Sequence, residues 1–183
     1  MVWNLGNGND FLKDTGKGYS NMTNVSGNMN VEIETSKTWA FEKKSFFYLL
    51  AGALEGGSNY WIERASFKPP ESEKDKSLME KAADDLFKGL IAPLYGGDLM
   101  IEICRDFEGD VLPRYNRSLG KYENVESSEN VMWSVGEEEL RRGVQAMAKK
   151  YPRHFDDLVR KNEDANTSDC FLQCCCFGEM VYG

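Results

Sequence analysis

From Phe41 onward the apolar positions of this chain fall into two periods, one helical and one alternating. In KKSFFYLLAGALEGG, Phe46, Leu49, Leu50 and Leu54 recur at helical spacing, and Gly56 and Gly57 stand where a helix should stop. The next stretch, NYWIERASF, sets Tyr60, Ile62 and Arg64 against Trp61, Glu63 and Ala65, with the aromatic and β-branched bias of a strand. EGGSNYWIER (55–64) is therefore a helix-to-strand corner. Gly56 is expected to take positive φ at the helix end, and Trp61 to lie buried in the strand. A phosphate-cradling loop runs the other way, from strand into helix, so that amides face the anion. A helix C-terminus carries partial negative charge and repels it.

KPPESEKDKS (68–77) reads as a charged surface connection. A helix is expected from about Lys76 to Ile91, with Leu78, Ala82, Leu86 and Leu90 inward. Gly96 and Gly97 then turn the chain, and Leu99, Ile101 and Ile103 alternate along a strand. VLPRYNRSLGKYENVESSENVMW holds a further short strand or two. SVGEEELRRGVQAMAKKYP predicts a helix opened by a Ser134–Glu137 capping box, with Leu140, Val144, Met147 and Tyr151 as its stripe. Pro152 starts a second short helix carrying Phe155, Leu158 and Val159. Thr167 or Ser168 caps a third, whose Leu172, Cys175, Cys176 and Phe177 must lie deep in the core. Residues 1–37, rich in Gly, Asn, Ser and Thr, read as turns with short strands such as residues 30–35. The sum is one α+β domain over residues 1–183: a central antiparallel sheet packed by an early helix and a C-terminal helical group. Residues 68–97 form a helical insertion within it.

Composition narrows the function classes. Lys and Arg number 22 against 30 Asp and Glu, a net charge of −8. That balance argues against a general nucleic-acid binder, whose affinity comes from neutralising phosphates, and against an anionic membrane surface. It suits an acidic protein that docks on a basic one. No run of about 18 apolar residues exists to span a bilayer, and MVWNLGNGNDFLKDTGKGYS lacks the basic start and apolar core of a signal peptide. Five cysteines, four of them in the last fourteen residues, fit reduced thiols in a cytoplasm better than a secreted disulfide framework.

The candidate chemistry is thin. Cys170 and Cys174 share a helix face, but C-x-x-C knuckles are absent and consecutive Cys174, Cys175 and Cys176 point apart; core packing is expected, with no zinc. His154, the only histidine, sits among Arg153, Asp156 and Asp157 in what reads as a solvated first turn, an unsuitable partner for a thiolate. No P-loop and no G-x-S-x-G elbow occurs. Carboxylates cluster at Glu137, Glu138, Glu139, Asp156, Asp157, Glu163 and Asp164. Such runs at helix starts complement the dipole far more often than they form catalytic pairs.

Two segments carry a resemblance. GGSNYW (56–61) resembles the early motif of a widespread set of small phage and prophage proteins. Residues 151–183 resemble their C-terminal signature, in which KYPRHF precedes D-A-x-T-x-D-x-F-L-Q-x-x-x-F-G-E-x-V-Y-G. Together they cover under a third of the chain. This set includes proteins similar to type II-A anti-CRISPR proteins. The resemblance implies an inhibitor of host defence that binds a host CRISPR effector nuclease, a type II RNA-guided enzyme, and covers its surface without cofactor, metal or catalytic residue. It makes Gly56, Gly57, Tyr60, Trp61, Asp169, Phe171, Leu172, Phe177, Gly178, Tyr182 and Gly183 packing and turn positions. The partner-binding face it leaves is the acidic set from Glu137 to Asp164, provided the C-terminal helices present it on one side. The alternative is a phage accessory protein that binds nucleic acid or a nucleotide signal, for which Arg141, Arg142, Lys149, Lys150 and Arg153 could supply a local basic patch.

Overall fold

The computed structural model describes residues 2–4, 25–33, 37–83, 87–128 and 131–183. Within them a four-stranded antiparallel sheet forms in the order β1 (Val2–Asn4), β4 (Ile62–Lys68), β5 (Asp98–Ile103), β8 (Met132–Val135). Two hairpins flank it, β2 (Asn28–Ile33) with β3 (Lys37–Glu42), and β6 (Val111–Asn116) with β7 (Lys121–Glu126). The early helix α1 (Lys43–Gly52) and the C-terminal helices α4 (Glu137–Lys150), α5 (Pro152–Arg160) and α6 (Ala165–Phe177) complete the expected α+β fold. Leu99, Ile101 and Ile103 all point into the core, as their alternation requires.

Helix α6 is the centre of the molecule. Every residue from Thr167 to Phe177 is buried, so it has no solvent face, which is why its apolar run is so wide. It packs on α1 and α4. The α4 crossing is close because residue 143 is glycine: any side chain there would strike the Cys175 sulfur. The cysteines behave as small hydrophobes, as expected, with Cys170, Cys174, Cys175 and Cys176 all buried.

Several boundaries move. Helix α1 runs on as one π-helical turn, Ala53–Gly57, and neither Gly56 nor Gly57 has positive φ. The corner instead needs a glycine at 57 for space, since an added Cβ would lie 2.5 Å from the Ala165 carbonyl oxygen, whereas at 56 it meets nothing. Gly57→Ala is therefore expected to lower stability by about 2 kcal/mol, the range of backbone-strain and overpacking mutants. Gly56→Ala should be neutral or stabilise by up to about 1 kcal/mol. Urea denaturation midpoints of the two variants check the pair. Trp61 is buried but lies in the turn before β4, not in the strand. A register irregularity between Ile62 and Arg64 then lets both Ile62 and Ala65 face the core, which strict alternation forbids.

The expected helix over 76–91 is two helices. The first, α2 (Glu73–Ala82), starts at Ser72, whose hydroxyl accepts the Asp75 amide. It ends where Ala83 turns extended, and α3 (Lys88–Ile91) leads into a 3-10 turn at Ala92–Tyr95. Leu78 is consequently exposed, and Met79 takes the inward place beside Ala82; Leu86 lies outside the described residues. Ser134 belongs to β8, so the acid that caps α4 is Glu139, which accepts the Gly136 amide at 2.8 Å. Asp164, not Thr167 or Ser168, caps α6 by accepting the Thr167 amide. That bond holds the Asp164 carboxyl below its ordinary range. Most of the expected irregular segment 1–37 lies outside the described residues.

Candidate functional site

The two segments that carry the sequence resemblance meet inside the protein. The π turn delivers Ser58, Tyr60 and Trp61 to α6, and all three converge on Asp169. Ser58 Oγ and Trp61 Nε1 each donate to Asp169 Oδ1 at 2.7 Å; Tyr60 Oη and Gln173 Nε2 each donate to Oδ2 at 2.9 Å. One turn along α6, Gln173 holds the C-terminal segment after the helix. Its Nε2 donates to the Tyr182 carbonyl, and its Oε1 accepts the Val181 and Tyr182 amides. The rings of Trp61, Phe177 and Tyr182 pack together over this network.

Asp169 is buried and has no cation beside it; four neutral donors stabilise its charge. A carboxylate offers about four lone-pair sites, and all are taken. Tyr60 is held in its neutral form, its hydroxyl pushed well above the usual phenol range by burial and then by the Asp169 charge. This is a lock between distant parts of the chain, in keeping with packing roles for Tyr60, Trp61 and Asp169.

The acidic set expected to meet a partner is largely occupied. Glu139 is only 2% exposed and lies in a bidentate pair with Arg117, Nε–Oε1 at 2.8 Å and Nη2–Oε2 at 2.5 Å, which removes it from any surface. Arg117 also reaches Asp98 at 2.6 Å and so clasps the β6–β7 turn to the start of α4. Glu137 pairs with Arg141, Glu138 with Arg142 and the Tyr115 hydroxyl, and Asp156 with Arg160. Asp157 and Glu163 are half-buried, and Asp164 is the α6 cap. Glu137–Glu139 open α4, whereas Asp156 and Asp157 lie on α5, which starts after the far end of α4, roughly 20 Å along its axis. The basic patch is similarly spent. Arg141 and Arg142 face acids one turn back, and Lys150 pairs with Glu179.

Sequence reading passed over a second group of acids. Glu63, Asp106, Glu108, Asp110 and Glu126 make no ion pair or side-chain hydrogen bond among the described residues, and all but half-buried Glu63 are exposed. They lie together where β4 begins and β5 ends. Cys104 N donates to Trp61 O, Ser127 N to Asp110 O, and Val111 pairs with Glu126. The signal in CRDFEGD was acids at every second position of a turn outside any helix; the one base at i+4, Arg114 from Asp110, pairs instead with Glu123 across the β6–β7 hairpin.

Nucleophiles are poorly placed. Burial pushes the Cys175 and Cys176 thiols up, a hydrogen bond with Cys170 and then burial do the same for Cys174, and burial followed by Glu63 and Asp106 raises Cys104 to about 11. All are protonated near neutrality. His154 is half-buried rather than solvated, its Nδ1 3.1 Å from the Thr167 hydroxyl. A cleft between α2, the Gly96 turn and the start of α4 has Lys43 and Glu137 in its walls, but Lys43 donates to the Leu94 carbonyl and Glu137 is held by Arg141. Among the described residues, no three His, Cys, Asp or Glu side chains form a group that could hold a metal ion, and no helix is long and apolar enough to cross a membrane. No protein-family model matches the chain, nor does any curated protein or solved structure.

Proposed function

We propose that this chain is a phage or mobile-element protein that inhibits host defence by binding a type II RNA-guided nuclease in the host cytoplasm and occluding its DNA binding or cleavage. The observation that carries the reading is the Asp169 network. The motifs on which the resemblance rests are 109 positions apart at Tyr60 and Asp169, yet form one hydrogen-bonded unit. Their coupling supports reading the two motifs together rather than as separate short matches. The chemistry of the molecule supports binding over catalysis, since the Cys104, Cys174, Cys175 and Cys176 thiols are held protonated and Asp169 is committed to four hydrogen bonds within the chain. Acidic charge supports a basic partner: a nuclease of this class holds nucleic acid in a positively charged channel. The nucleic-acid alternative is weakened by the ion pairs that spend Arg141, Arg142 and Lys150.

Cleavage of a target plasmid by purified guide-loaded type II nucleases, with increasing amounts of the protein, tests this. Cleavage is expected to fall as the protein reaches parity with the nuclease. Full cleavage by every nuclease at large molar excess would overturn the reading.

A further inference from the structure

We propose that the surface formed by the start of β4, the β5–β6 connection and the C-terminal segment after α6 is a docking surface for a Lys/Arg-rich protein segment. The inference takes its partner class from the function proposed above. Glu63, Asp106, Glu108, Asp110 and Glu126 leave five negative charges unanswered in one place, whereas Glu137, Glu138, Glu139 and Asp156 are each matched by an arginine of the same chain. Unmatched charge of one sign raises the local potential and steers a partner of the other sign.

A second feature points the same way. Tyr182 is 7% exposed, and its hydroxyl has no hydrogen-bond partner. It sits under the acidic loop, its ring 4.4 Å from that of Phe107, near enough to Asp110 and Cys104 for both to act on it. A phenol oxygen accepts as well as donates, so a cationic side chain seated against Asp110 would satisfy it. Apolar side chains complete the surface. Val111 is 64% exposed, and Tyr60 and Val181, both tied to the Asp169–Gln173 network, are also exposed. Apolar contacts ringed by charge are the anatomy of a protein interface. They suit the stems and heads of long basic side chains.

The test titrates the labelled full chain with a deca-arginine peptide, followed by NMR, and measures its affinity for a guide-loaded type II nuclease in parallel. Peptide-induced shifts are expected at residues 60, 63, 104–111, 126 and 181. Glu108→Lys with Asp110→Lys should weaken both interactions about tenfold or more, while Glu73→Lys with Glu80→Lys on α2 changes them less than about threefold. Both pairs are exposed, and unchanged amide spectra elsewhere would show that the variants fold. Shifts centred on Glu137, Glu138 or Asp156, or unchanged peptide affinity after reversal at 108 and 110, would overturn the proposal. So would calcium shifting the same resonances at micromolar concentration while the peptide does not compete. A nuclease that ignores the wild-type chain while the peptide maps to this surface would defeat the function reading and leave the surface standing. A nuclease that binds the wild-type and the 108/110 variant equally would do the reverse.

Discussion

Asp169→Ala is expected to destabilise the protein by about 4 kcal/mol. Truncation leaves Ser58 Oγ, Trp61 Nε1, Tyr60 Oη and one Gln173 donor without their acceptor, all but Tyr60 wholly inside the protein. Each buried orphan costs about 1–3 kcal/mol, but the four share one cavity, where a water molecule recovers part, so the sum is not simply additive. Asp169→Asn keeps one acceptor oxygen and turns an NH₂ toward donors, and should cost about 2–3 kcal/mol. For a domain with about 5–15 kcal/mol in hand, the alanine variant is expected to be marginal. Urea titrations should show lower midpoints with little change in slope.

The second large effect is at Arg117. Arg117→Leu strips the cation from Glu139, a carboxylate only 2% exposed, and should cost about 3–5 kcal/mol, the penalty for an uncompensated buried charge. Replacing both, Arg117→Leu with Glu139→Leu, removes the stranded charge and should recover most of that loss. What remains is the α4 cap, since Glu139 also accepts the Gly136 amide, a bond worth about 1 kcal/mol. A double-mutant cycle by chemical denaturation therefore has a strongly non-additive expected outcome. Additive losses would mean that Arg117 stabilises the β6–β7 turn through Asp98 rather than through Glu139.

Those two clusters also show where sequence reading reached its end. The buried stripes of α1, α4 and α6 and the alternation of β5 were legible because period alone decides which face is apolar. Period says nothing about which polar side chains meet across the core. Asp169 and Arg117 gain their partners from segments brought together only by the fold, so neither network could be read in advance. The π turn and the register irregularity after Ile62 are insertions of backbone that no residue pattern announces, and they moved Trp61 out of the strand. The acids at α4 and α5 carried a signal that charge counting alone did not use. Glu137–Arg141, Glu138–Arg142 and Asp156–Arg160 are all i,i+4 pairs, so their mutual neutralisation was already written in the spacing. Glu108 and Asp110 lie in a turn, and Arg114, four positions after Asp110, pairs with Glu123 instead.

The central claim is that residues 58–61 and 169–182 are one structural unit, joined through Asp169 and Gln173. Amide hydrogen exchange on the wild-type protein and on Asp169→Asn, under conditions where both are folded, tests it most directly. Exchange is expected to quicken by a similar factor in β4 and in the second half of α6 with the segment after it, while α4 and α5 stay protected. Faster exchange confined to α6, with residues 58–68 unchanged, would show that the two segments are stable independently and would contradict the account.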